Sequence, residues 1–122
     1  MNSAQGGRVV VCQVGEVRFA LSVEAVREVC TGVTPVQVPG VAAPVEGVAN
    51  VRGTLVTVVR GAELLGVPAR SEGPSPWLVV LHARGGRVGL GVDDVLDLGP
   101  GDEAVTRVDL DGALESVFGR LG

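Results

Sequence analysis

The chain contains no lysine, tyrosine or isoleucine, and its 122 residues include only two phenylalanines, one tryptophan, one histidine and two cysteines. Each scarcity excludes something. Every basic residue is an arginine, yet the net charge is −4, so the basic excess that nucleic-acid binding demands is missing. The arginine-only usage reads as genome-wide codon preference. Two cysteines without CxxC spacing and one histidine cannot complete a Cys/His zinc set. Two are also few for a disulfide-stapled secreted domain, so Cys12 and Cys30 are expected as reduced, buried thiols. The beginning MNSAQGGRVVV has no basic segment followed by an apolar run. No apolar stretch approaches the ~20 residues of a membrane span. The expectation is a cytoplasmic protein with no direct membrane insertion.

Catalytic groups are equally sparse. His82 sits in an alternating strand pattern without a partner residue in the sequence, and reads as a structural or surface histidine. Asp93 and Asp94 are adjacent, so they point apart on a strand and resemble a strand-end turn more than a carboxylate dyad. Gly85-Gly86, Gly89 and Gly91 are not followed by the helix that a phosphate-binding loop requires. No enzyme activity, cofactor or metal is expected.

What the chain has is valine, glycine and proline. It is 46% hydrophobic with mean hydropathy +0.40, and it carries 19 Gly and 7 Pro. Valine is stiff at its first side-chain torsion and fits a pleated sheet; many turns between short valine-rich runs point to a barrel or sandwich. Charge is uneven. Residues 1–92 carry eight Arg and six acidic residues, a balance of +2, whereas 93–122 carry two Arg and eight acidic residues, a balance of −6. The acidic end reads as a solvated face that favours solubility.

Residues 1–7 read as a loose tail, and 8–122 as a single domain. Arg8–Val14 and Glu16–Leu21 form a hairpin across Gly15-Glu16. Ser22 caps a short helical turn that places Val23, Val26 and Val29 on one side. Residues 31–45, with Pro35, Pro39 and Pro44, must be irregular or edge-like. Val48–Val59 is strand, broken at Arg52-Gly53. Ala62–Leu65 forms a helical turn closed by Gly66, and Val67–Pro76 is loop. Trp77–Ala83 and Arg87–Val92 flank a tight turn at Gly85-Gly86. Val95–Leu98 continues the strand signal, Gly99-Pro100-Gly101 stops it, Val105–Leu110 is a last strand, and a helix closes the chain from about Gly112.

The most informative segment is Glu46-Gly47-Val48-Ala49-Asn50-Val51-Arg52-Gly53-Thr54-Leu55-Val56-Thr57-Val58-Val59. An Asn-x-Arg-Gly step interrupts an apolar run. A guanidinium there is either paired and hydrogen-bonded or an edge arginine facing water. Phe19-Ala20-Leu21, Val26-Arg27-Glu28-Val29, Gly47 to Gly53 and Gly89 to Val95, in this order, make residues 8–98 resemble the CheW-like domain family. The resemblance implies a mainly β fold of two small SH3-like barrels on a shared apolar seam. It also implies a non-catalytic adaptor whose partners are a chemoreceptor cytoplasmic tip and the regulatory domain of a CheA-type histidine kinase. The partner-binding positions that match are Val26, Glu28, Gly47, Asn50, Arg52, Gly53, Gly89 and Val95, and Glu28 is expected to pair with Arg52.

The chain departs from the family pattern mildly at Val51, which stands for a leucine, and more strongly in three places. Thr57 replaces a proline. Arg60-Gly61 replaces Asp-Leu, removing an expected cap and a core side chain. The stretch after Leu98 is short, so an incomplete second barrel is expected. The competing reading is a divergent structural or oligomerising β-domain that has lost receptor–kinase coupling. The two differ at the Arg52 surface: an adaptor keeps exposed apolar residues beside it, whereas a structural domain covers them.

Overall fold

The computed structural model describes residues 8–40, 44–68, 73–100 and 106–107. Strands dominate, as the valine content requires. β1 (Arg8–Val14) and β2 (Val17–Ser22) form the first hairpin, with Val14 opposite Val17. A three-residue 3-10 turn, Val23–Ala25, leads into β3 (Val26–Thr31), and the Ser22 hydroxyl accepts from the Glu24 N–H at 3.3 Å. The remaining elements are β4 (Val45–Val51), β5 (Thr54–Arg60), α1 (Gly61–Leu65), β6 (Trp77–Leu81), α2 (Ala83–Gly86), β7 (Val88–Val92), β8 (Asp94–Pro100) and β9 (Thr106–Arg107).

These strands build two sheets, one in the order β8-β1-β2-β9 and the other β3-β6-β7-β5-β4. The smaller sheet therefore takes strands from both ends of the described chain, and the division into two units does not follow the two halves of the sequence. Of the described residues after Leu98, Gly99 and Pro100 end β8 and Thr106–Arg107 forms the two-residue β9.

The main core lies between the sheets. Val10, Cys12, Val14, Phe19 and Leu21 of the smaller sheet meet Val59, Val79, Leu81, Val88, Leu90 and Val92 of the larger one. A second cluster forms on the other face of the five-stranded sheet, from Ala49, Val51, Val56, Val58, Leu78 and Val80, with Cys30 and Val33 against it. One sheet can serve two cores because successive side chains point to opposite faces.

Several expectations change. Val23, Val26 and Val29 do share a face, all against the main core, but helix is confined to Val23–Ala25. A β-bulge supplies the odd spacing. The register of β3 on β6 shifts between Val26 and Glu28, so Arg27 is the extra residue and the alternation resets. The link between β6 and β7 is the helical turn α2, whose Gly85 and Gly86 take φ of 70° and 78°. Strand β8 runs through Gly99 to Pro100, which is opposite Arg8. Proline is tolerated there because β8 is an edge strand. The 1–7 tail, the helix expected from Gly112 and residues 108–110 lie outside the described residues.

The departures from the family pattern also find reasons. The Thr57 N–H donates to the Arg87 carbonyl at 2.8 Å, which a proline could not do. Gly61 leaves no gap: a Cβ there would sit 2.7 Å from the Gly91 carbonyl oxygen and 3.2 Å from a Val14 methyl. The neighbouring backbone already fills the space that a leucine would need. Arg60 gives α1 no side-chain cap.

Candidate interaction site

The Asn-x-Arg-Gly step is the tip of the β4–β5 hairpin. Val51 and Thr54 face each other across Arg52 and Gly53, whose φ values are 52° and 86°. Two consecutive positive φ angles define a type I′ turn, whose twist suits a tight hairpin. Glycine adopts this conformation freely; arginine does so at a cost. Arg52 is the one non-glycine residue with positive φ among the described residues. Asn50 helps to hold it, since its Oδ1 accepts from the Gly53 N–H at 2.9 Å. The motif thus reads as a cap, a strained presenting residue and a glycine hinge.

Arg52 Nε donates to Glu28 Oε2 at 3.1 Å, with the arginine side chain 83% exposed and the glutamate 27% exposed. The Val26–Val29 and Asn50–Gly53 segments meet as expected. β3 and β4 are the two edges of the five-stranded sheet, so this pair spans the open side between them. An exposed pair contributes only about 0–1 kcal/mol, so its main effect is on the shape and charge of the surface. Leu55, opposite Asn50 across the hairpin, is 64% exposed, and Val36, opposite Val48, is 70% exposed. Exposed apolar side chains therefore occur on the hairpin that carries Arg52 and on the segment bridged to its β4 strand. Cys30 lies near this surface: partial burial and the Glu28 charge raise its thiol pKa, while Arg52 opposes them.

The other matched positions lie elsewhere. Val26 and Val95 pack against the main core. Gly47 is buried where the Pro35–Val36 segment crosses β4, and a Cβ there would lie 2.5 Å from the Val36 carbonyl oxygen. Gly89 is buried, and a Cβ would lie 2.6 Å from a Leu78 methyl and 3.1 Å from one of Val56. The structure brings together Glu28, Asn50, Arg52 and Gly53, and gives Gly47 and Gly89 packing environments.

A second charged cluster was not anticipated. Glu46 is the bulged residue of β4, since the register shifts between Val45 and Gly47. Its side chain is 8% exposed and lies 3.4 Å from Arg60 Nη2. It also accepts from the Ser75 N–H at 3.0 Å and from its hydroxyl at 3.1 Å. The available signal was an acidic and a basic residue at nearly equal distances on either side of the Arg52-Gly53 turn. Leu55 was also legible, as the lone leucine of a valine and threonine alternation.

His82 is exposed, and Asp93 Oδ2 accepts from the Gly15 N–H at 2.6 Å, tying the strand end to the first hairpin. Among the described residues, no three His, Cys, Asp or Glu side chains gather as a metal site, and no helix is long and apolar enough to cross a membrane.

The profile of the CheW-like domain matches residues 8–99, most of the chain. The chain belongs to the CheW-like domain family. Among solved structures it is similar to the scaffolding protein TtCheW from Thermoanaerobacter tengcongensis, at 26% identity and a TM-score of 0.72, over 81% of this chain and 68% of that one. A search of curated proteins finds no match. Membership of the CheW-like family gives the two-sheet fold and the scaffold class of function a common basis.

Proposed function

We propose that this CheW-like domain is a non-catalytic cytoplasmic adaptor that couples chemoreceptor tips to the regulatory domain of a CheA-type histidine kinase. The β4–β5 tip is the contact surface. The observation that carries this reading is the exposed Arg52–Glu28 pair on the hairpin that also leaves Leu55 uncovered. Interfaces combine apolar area with arginine anchors, and a purely structural domain gains nothing from a strained, exposed arginine on a hairpin that leaves a leucine open. In this reading Glu28 and Arg52 supply charge complementarity, and Asn50 and Gly53 hold the turn. Val26, Gly47, Gly89 and Val95 act through packing that keeps the two sheets in place.

The test is calorimetric titration of the kinase regulatory domain, and separately of a receptor tip fragment, into this protein and its Arg52→Glu variant. The expected result is binding by the native chain and loss of binding by a variant that melts normally. Absence of binding by the native chain to either partner would favour the stand-alone structural domain.

A further inference from the structure

We infer that Glu46 and Arg60 form a latch that holds the Gly73–Pro76 segment as a strap across the second core, separately from the contact surface proposed above. The strap has no apolar anchor of its own: Gly73, Pro74 and Pro76 are exposed, and Ser75 is half-buried. Its two prolines carry no N–H, so Gly73 and Ser75 supply its amide donors. Among the described residues, its polar attachments run through one ion pair. The Ser75 N–H and hydroxyl donate to the two Glu46 oxygens, and Arg60 Nη1 donates to the Gly73 carbonyl at 3.2 Å while Nη2 faces Glu46 at 3.4 Å. Beneath the strap is a narrow crevice lined by Val33, Pro35, Val58, Trp77 and Leu78 as well as Glu46 and Ser75. Two features make the latch possible. The bulge at Glu46 re-aims the carboxylate, and Gly91 leaves the space that Ser75 occupies, since a Cβ at Gly91 would collide with the serine side chain.

A segment held by a few polar contacts opens by itself, at a lower free energy than global unfolding. A carboxylate left buried without its arginine is strongly unfavourable, so removing Arg60 should release the strap while leaving the sheets intact. Gly91→Ala should do the same without altering a charge.

Amide hydrogen exchange followed by NMR tests this on the full chain with Arg60→Met and Gly91→Ala. The expected result in both is acceleration of the Ser75 amide by at least about tenfold, because a hydrogen bond to a charged group exceeds one decade in equilibrium constant. Val79 and Leu90 should keep their native rates. An unchanged Ser75 rate would overturn the latch. So would acceleration of Ser75, Val79 and Leu90 by one common factor, or loss of folding in both variants, because the cluster would then belong to the global fold.

Discussion

Arg52→Asn separates stability from binding, because the two effects have opposite signs. The substitution turns Arg52-Gly53 into Asn-Gly, the preferred pair for a type I′ turn. Arg52 holds φ at 52°, a region that costs an ordinary L-residue about 1–2 kcal/mol and asparagine much less. The change also removes the 3.1 Å pair with Glu28. With the arginine 83% exposed, that loss is about 0–1 kcal/mol. The balance is a variant between neutral and about 1 kcal/mol more stable. For a chain between the size classes with known scaling, 1 kcal/mol raises Tm by roughly 3–6 °C. Thermal melts by circular dichroism measure the first effect, and calorimetric titration with the kinase regulatory domain the second. The expected outcome is an equal or higher Tm with binding lost. A Tm lowered by more than about 5 °C, beyond what loss of an exposed pair explains, would refute the strain argument. Retained affinity would refute the role of the guanidinium.

Three further outcomes follow from the packing. Gly61→Leu, which restores the residue type of the family pattern, should destabilise the fold by about 1–3 kcal/mol or more, read as a lower denaturant midpoint, because a Cβ there already meets the Gly91 carbonyl at 2.7 Å; unchanged stability would show that β7 can yield. Gly47→Ala should push the Pro35–Val36 segment off β4 and break the two Val36–Val48 backbone hydrogen bonds at 2.8 and 2.9 Å; faster exchange at Val36 and Val48 checks it. Burial pushes the Cys12 thiol from 9.0 up to about 12, and with no lysine or tyrosine in the chain the cysteines dominate side-chain titration in that range. The unfolded chain ionises first, so the contribution is intact below pH 9. It falls between pH 9 and 12, by about 1.4 kcal/mol for each pH step from this thiol. Denaturant midpoints measured from pH 8 to 11 should decline, and Cys12→Val should remove most of the slope.

The strand-rich character, the hairpin at Gly15-Glu16, the break at Arg52-Gly53, the Ser22 cap and the helical turn closed by Gly66 were all legible in the sequence. Each depends on residues within a few positions of one another. Part of the site was legible for the same reason: Asn50, Arg52 and Gly53 interrupt an apolar run, although Arg52 does not by its type announce the positive φ of the turn it forms. Glu28 could be paired with Arg52 because the family resemblance brings their segments together and the charges are opposite. The common face of Val23, Val26 and Val29 was readable, but its cause was not, since a period of three arises equally from a helical turn and from a strand interrupted by a bulge.

Tertiary structure alone decided the rest. Pairing β8 with β1 and β9 with β2 draws both ends of the described chain into one sheet. This pairing lets Pro100 continue a strand that its local sequence appeared to end, since an edge strand leaves its missing N–H unopposed. Gly61 read as a lost core side chain until the Gly91 backbone was found in its place. Glu46 and Arg60 come together against Ser75 only through a bulge and a neighbouring glycine. Propensity, alternation and turn chemistry act over a few residues and are written in the chain's local order. Sheet order, bulge placement and burial of a charge depend on which distant backbones meet, and local order does not specify that meeting.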